Sequence, residues 1–216
     1  MVAFSYHGGM EWSATARYRL AGAPGGLGFV QDLLNTKTTR RGDLPDLLAE
    51  LPTAQRWLDD SLARWSVESG VAQAPVALDG DDLAKLRDLR ADLHVLVSQA
   101  GREGAGPAIP SATLGARATP GGEVLLEPRG DGCRRLAGVV LIELFNAQRS
   151  DAWSRIKVCR NERCGVSFFD RSRNNSGVWH DARVCGNAAN LRASRARKRQ
   201  NQLAVARDVL APETSE

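Results

Sequence analysis

The sequence has no long hydrophobic run. Its longest stretch of branched aliphatic residues is Val139-Val140-Leu141-Ile142, far short of the roughly 20 residues a helix needs to span a bilayer, so no membrane partner is expected. Aromatics make up only 6% of the 216 residues, which argues against single-strand recognition by base stacking. Histidine is scarcer still. His7, His94 and His180 are scattered, and no nucleophile–base pair or group of carboxylates accompanies them, so an enzyme is not expected. No GxGxxG or Walker-type loop appears, because the glycine pairs do not sit between a strand and a helix. From Met1 to Pro24 the chain carries Glu11, Arg17 and Arg19 and no continuous apolar core, unlike a secretory signal. The expected compartment is the reducing cytoplasm, where stable disulfides are rare.

What is present is an ordinary apolar fraction of 43% and a formal net charge of +4. That small number hides an asymmetry. Residues 155–199 hold 12 Lys/Arg against 3 Asp/Glu, a net of +9, and the rest of the chain carries −5. A mildly acidic body joined to a strongly basic end suggests a nucleic acid or another anionic partner. The length lies between one and two domains at roughly 150 residues each. The patterning predicts a domain over 1–150, a second unit over 151–206, and a tail over 207–216.

The first unit reads as mainly helical, following an irregular lead-in over 1–23. Phe29, Leu33 and Leu34 predict a helix opened by Gly25-Gly26 and ended by Asn35-Thr36 before the basic turn Thr39-Arg40-Arg41-Gly42. The side chains of Asn35 and Thr36 are expected to cap that helix. Asp43–Leu51 reads as one or two helical turns with Pro45 in the first. Thr53 reads as the N-cap of a helix with Trp57, Leu58, Leu62 and Trp65 on one stripe. The two tryptophans suit a core, or alternatively a pocket wall. After a loop over Gly70–Asp79, residues Asp81–Ala100 form the clearest helix. Ala112–Ala118 and Glu123–Leu126 flank Thr119-Pro120-Gly121-Gly122 as a β-hairpin. Residues 133–147 form a second apolar helix with Leu136, Val139, Val140, Leu144 and Phe145, and Cys133 reads as a small buried hydrophobe.

The basic unit holds Cys159 and Cys164, then fifteen residues, then His180 and Cys185. Zinc favours four tetrahedral S and N ligands supplied as two close pairs. The gap accommodates a hairpin, with Val166–Asp170 as first strand, Arg171–Gly177 as turn and Val178-Trp179 as return. Phe168 or Phe169 and Trp179 would supply a very small core. Unmetallated thiols beside a solvated histidine are one alternative, and a Cys159–Cys164 disulfide is another. A helix is expected from Ala182 to about Ala206. It places Arg192, Arg195 and Arg199 on one face with Ala188 one turn earlier, Arg183, Arg197 and Lys198 beside them, and Val184 and Leu191 as inner anchors. Between Ala182 and Val205 stand six Lys/Arg and no acidic residue. Those cations have no carboxylate four residues away, which suits phosphate-backbone binding. Arg171 and Arg173 in the turn are further candidate contacts, with Asn174 and Asn175 beside them.

The segment built on Cys159, Cys164, Trp179 and Cys185-Gly186-Asn187 resembles the CGNR zinc finger found at the C-terminus of many bacterial proteins. Upstream, Asp32-Leu33-Leu34-Asn35-Thr36 resembles the signature of the ABATE domain that normally precedes that finger. The family is described as stress-induced or other transcription regulators. Two positions depart from its pattern: His180 replaces the usual third Cys, and Ala188 replaces the motif's Arg. The resemblance strengthens the zinc reading. The resulting expectation is an α+β protein with a mainly helical N-terminal domain bearing a β-hairpin, followed by a treble-clef-like zinc finger ending in a basic helix. One structural zinc per chain is expected on Cys159, Cys164, His180 and Cys185, since four protein ligands close the site. DNA is favoured over RNA as partner, contacted through Arg171, Arg173, Arg183, Asn187, Arg192, Arg195, Arg197, Lys198 and Arg199. The body could bind a small-molecule effector or form a homodimer. A module docking an acidic protein is the rival reading.

Overall fold

The computed structural model describes residues 11–39, 44–99 and 106–210, with side chains as far as Gln202. The elements run α1 (Ser13–Ala16), α2 (Leu27–Asn35), α3 (Leu51–Ser69), α4 (Gly80–Gln99), β1 (Leu114–Ala118), β2 (Val124–Pro128), α5 (Gly132–Arg149), a 3-10 turn (Trp153–Arg155), β3 (Ile156–Val158), β4 (Ser167–Phe169), a π-helical turn (Ala182–Gly186) and α6 (Asn187–Leu210). Two antiparallel hairpins, β1–β2 and β3–β4, accompany the helices.

Helix α2 is the centre. Every residue from Leu27 to Asn35 is buried, and the helix touches α1, α3, α4, α5 and β4. A helix enclosed on all sides must satisfy its polar side chains internally. Asp32 Oδ1 accepts the Thr15 N–H at 2.7 Å, and Asp32 Oδ2 accepts Trp57 Nε1 at 2.8 Å and Ser61 Oγ at 3.2 Å. Burial pushes the Asp32 carboxyl above its ordinary pKa, while these donors oppose the shift. Gln31 Oε1 accepts the Ala23 N–H at 2.6 Å. Thr36 Oγ1 donates to the Leu33 carbonyl at 2.7 Å and accepts Arg90 Nη1 at 3.0 Å, which ends the helix as expected.

Asn35 does something else. Its Oδ1 accepts the Ser167 N–H at 2.9 Å and its Nδ2 donates to the Ser167 carbonyl at 2.9 Å. The carboxamide therefore pairs with the outer edge of β4, whose other edge runs against β3 with Val158 opposite Ser167. The capping role assigned to Asn35 is replaced by a bridge from the body to the C-terminal hairpin. Hydrophobic packing follows the same line. Ile156 is 1% exposed within the main core, and Val158 and Phe169 pack against that core.

Several sequence expectations shift. Residues 44–50 are not helical, because Asp46 Oδ1 accepts the Leu48 N–H at 2.8 Å and the Leu47 N–H goes to the Thr36 carbonyl at 2.9 Å. The Asp46 carboxylate is also gripped by Arg90 at 2.6 Å and 2.8 Å. Helix α3 begins two residues before Thr53, with Glu50 at its N-cap and Pro52 in the first turn. The β1–β2 hairpin turns at Thr119–Gly122 as expected. Phe145 lies on the outside of α5, 49% exposed, whereas Leu136, Val139, Val140 and Leu144 are buried. Cys133 is buried as expected. Its N–H bonds Asp82 Oδ1 at 2.9 Å, and burial pushes its thiol pKa up to about 11. The lead-in before residue 11, Arg40, Arg41, Gly42 and residues 211–216 lie outside the described residues, whereas 207–210, expected to begin the tail, continue α6.

Substitution Asn35→Leu leaves the buried Ser167 N–H without its partner and the Ser167 carbonyl with only the long bond from Gln31 Nε2 at 3.4 Å. We expect a loss on the order of 2–4 kcal/mol in urea unfolding, with Asn35→Asp intermediate because it cannot donate to the Ser167 carbonyl. A loss below about 0.5 kcal/mol for Asn35→Leu would show that the bridge is not structural.

Candidate metal centre

Cys159 follows β3, and its N–H bonds the Val166 carbonyl at 2.9 Å, so the C-x4-C segment forms the turn of the β3–β4 hairpin. Within it, the Cys164 N–H bonds the Asn161 carbonyl at 2.7 Å and the Arg163 N–H bonds Asn161 Oδ1 at 3.3 Å. The two sulfurs are thereby turned to the same side of a tight knuckle.

The expected hairpin between 166–170 and 178–179 does not form. Residues 167–169 pair with Ile156–Val158 instead, and Val178-Trp179 stays irregular with one bond from the Arg160 N–H to the Val178 carbonyl at 2.9 Å. Asp170 is the reason. Its carboxylate collects Lys157 Nζ at 2.7 Å, the Ser172 N–H at 2.9 Å and the Gly177 N–H at 2.6 Å, which folds 170–177 into a compact loop. Burial raises the Asp170 pKa, but these donors outweigh it and hold the carboxyl well below the usual range.

The loop delivers His180 to the knuckle. Asp181 then caps the π-helical turn: its Oδ1 accepts the Val184 N–H at 3.0 Å and its carbonyl accepts the Cys185 N–H at 2.8 Å. That turn points Cys185 inward immediately before α6, with Gly186 so close to Trp179 that an added Cβ would stand 3.2 Å from the indole. The donor atoms of Cys159, Cys164, His180 and Cys185 all lie within 4.8 Å of one another. His180 Nδ1 is 3.3 Å from Cys164 Sγ and 3.6 Å from Cys185 Sγ. A tetrahedral zinc with bonds of about 2.3 Å to sulfur and 2.0–2.1 Å to nitrogen separates S and N donors by roughly 3.5 Å, so the cluster matches one structural zinc.

None of the four cysteines is in a disulfide. Thiols so close compete for protons. Accepting from Cys164, with help from His180, holds the Cys159 thiol below its ordinary range, whereas Cys164 is pushed up by donating to Cys159 and by burial. Burial also raises Cys185. A divalent cation removes this competition, because it binds all three sulfurs as thiolates.

The expected small core is only partly internal. Cys159, Cys164, Val166 and Cys185 form it with Trp179, but Tyr18 and Leu20 from the N-terminal segment complete it, and Phe169 belongs to the body's core. Val184 and Leu191, expected as inner anchors, are 46% and 53% exposed. Arg192 anchors the helix instead: half-buried, it donates from Nη2 to Asn161 Oδ1 at 2.7 Å. Asn161, only 1% exposed, thus ties the knuckle to α6. Its position between the two cysteines was the available signal, since Asn is a frequent turn residue.

The remaining candidate contacts divide in two. Arg171 donates to the Gly22 carbonyl at 2.7 Å and lies over the Phe169 ring at 5.5 Å, so it too serves the junction. Arg173, Arg183, Asn187, Arg195, Arg197, Lys198 and Arg199 are exposed. Among the described residues, no carboxylate pairs with the arginines or the lysine of α6.

Residues 155–198 match the family model described as the CGNR zinc finger. The match covers the knuckle, all four metal-ligating side chains and the first half of α6. Among curated proteins, none matches the chain.

Protein purified without chelator should carry about one zinc per chain by elemental analysis. Cys185→Ala and His180→Ala should lose most of it and, because finger and body share a core, should lower the melting temperature of the whole chain. Full retention of zinc in His180→Ala would show that the Cys3His set is wrong.

Proposed function

We propose that the protein is a zinc-stabilised nucleic-acid-binding protein, a cytoplasmic DNA-binding transcription regulator whose helical body has a sensory or dimerisation role. The observation that carries the reading is the state of α6. From Arg195 to Gln202 every residue is exposed, so this stretch has no buried stripe, and its cations at 195, 197, 198 and 199 face water on all sides. A helix that is polar all round gains little from packing. A polyanion would supply the missing partner.

The metal centre suits this role because it fixes the root of the helix. Cys185 precedes α6 by two residues, and Arg192 is tied to the knuckle in its second turn. At 1.5 Å per residue, the 24 residues of α6 span roughly 36 Å, about one turn of B-form DNA. The major groove of B-DNA admits a helix, whereas the major groove of A-form RNA is too narrow for side chains to read, which supports DNA over duplex RNA. Exposed Arg160 and Arg163 on the knuckle add positive charge to the same module. The four protein ligands leave zinc no open position, so its role is structural and the reading assigns no catalytic step. Among the described residues, no helix is long and apolar enough to cross a membrane. The resemblance of Asp32–Thr36 to the ABATE signature supports a regulator.

A second reading has its own observation. Val178, Val184 and Leu191 are 37%, 46% and 53% exposed beside the basic helix, a mixture that also suits an acidic protein surface.

Charge reversal at Arg195, Arg197, Lys198 and Arg199 leaves the Arg192–Asn161 tie intact. In mobility shifts with random DNA duplexes it should weaken binding across sequences and reduce the salt slope by roughly 3 to 4, near 0.9 per lost phosphate contact. Binding that is unchanged would place the interface elsewhere. A parallel RNA pool separates the two nucleic acids. Salt-sensitive capture of an acidic protein without a duplex shift would favour the second reading.

A further inference from the structure

A cleft of about 840 Å³ opens on the body between the start of α2, the end of α3, strand β2 and α5. Small-molecule sites typically have volumes of roughly 300–1,000 Å³. Leu27, Val71, Leu126 and Ile142 give it apolar walls. Glu143 lines the same cleft yet is only 5% exposed. Its Oε1 accepts Trp65 Nε1 at 2.8 Å, and its Oε2 has no hydrogen-bond partner among the described residues.

No basic side chain of the described residues neutralises this carboxylate. Arg64 is paired with Glu68 at 2.5 Å, and the Arg149 guanidinium lies over the Phe145 ring at 5.6 Å. The backbone also comes close, since a Cβ on Gly26 would collide with the Glu143 carboxylate and the Trp65 indole. A buried acid with one donor is costly to keep. Burial accordingly pushes its pKa above the usual carboxylate range. Core packing alone would favour glutamine or leucine at this position.

We propose that this cleft binds a small organic ammonium compound, with its charged nitrogen on Glu143 Oε2 and its apolar part against Leu27, Val71 and Ile142. The charged groups lining the cleft besides Glu143 are Glu68, Glu123 and Arg149; Glu68 is paired with Arg64 and Glu123 offsets Arg149, so Glu143 is the carboxylate left to meet a cation. Ser150 and Ala152, which carry α5 into the finger, belong to the same wall. The inference deepens the sensory role proposed for the body and rests on that reading for its regulatory consequence; the binding stands on the cleft alone.

The test uses the zinc-loaded full chain labelled with ¹⁵N, following the Trp65 indole N–H signal. The probes are 2-phenylethylammonium, 2-phenylethanol and phenylacetate, three molecules of like shape and different charge. The ammonium should shift the indole signal saturably and bind about tenfold or more tightly than the alcohol, with phenylacetate silent up to roughly 10 mM. Glu143→Gln should remove the preference for the ammonium. Asn146→Trp, at an exposed position on the cleft wall, should block all binding with the carboxylate in place, and it decides the matter if Glu143→Gln does not fold. Absence of a saturable shift, equal response to the three probes, or ammonium binding unaffected by either substitution overturns the proposal. Failure here leaves the duplex mobility shift unaffected, and failure of the mobility shift leaves this binding unaffected.

Discussion

Strand β4 has two edges and only one strand beside it. The edge facing away from β3 meets the buried helix α2, where an unpaired N–H and carbonyl would each cost on the order of 1–3 kcal/mol. Asn35 resolves this by presenting a carboxamide that imitates a neighbouring strand, donating to the Ser167 carbonyl and accepting its N–H at 2.9 Å each. The position of β4 then sets the position of its turn, and the turn carries Cys159 and Cys164. The metal knuckle is therefore placed by a side chain more than a hundred residues away in the chain.

This arrangement explains why so small a finger can stand without a core of its own. Its apolar contacts are borrowed: Ile156 enters the body's core, Phe169 packs against it, and Tyr18 and Leu20 close over the sulfurs. Zinc supplies what packing does not, by joining the knuckle to the turn that starts α6. Arg192 and Asn161 reinforce the joint. Among the described residues, every side chain of α6 from Arg195 to Gln202 is exposed, cations included. Rigidity at the root and exposure along the shaft are consistent with electrostatic binding, in which orientation comes from the fold and affinity from phosphates.

Much of this could be read from the residues. Period-3.6 patterning located α3, α4 and α5, because their apolar stripes face a single core. The cysteine spacing identified the ligands, because metal geometry restricts which residues can serve. Long-range pairing was not readable. Ser167 chooses Ile156–Val158 over Val178-Trp179 because Asp170 ties up the intervening loop, and no local pattern announces a buried carboxylate collecting Lys157 and two backbone amides. Asn35 looked like a cap because caps and bridges use the same side chain, and only the fold shows which backbone it meets. Arg192 looked like one of several surface cations for the same reason. The Asp32–Thr36 motif marked the right helix end; Asp32 and Thr36 serve the body there, and Asn35 alone serves the junction.

The central claim is that body and finger fold as one unit, joined at Asn35 and closed by the metal. Cobalt-substituted Trp179→Phe protein tests it directly, since the thiolate-to-cobalt absorption reports the finger and, with Trp179 removed from the finger's core, tryptophan fluorescence reports the body, where Trp57 and Trp65 are buried. Both signals should be lost in one coincident thermal transition, as a single cooperative unit requires. Loss of the cobalt band in a separate, earlier transition, with the fluorescence unchanged, would contradict the account.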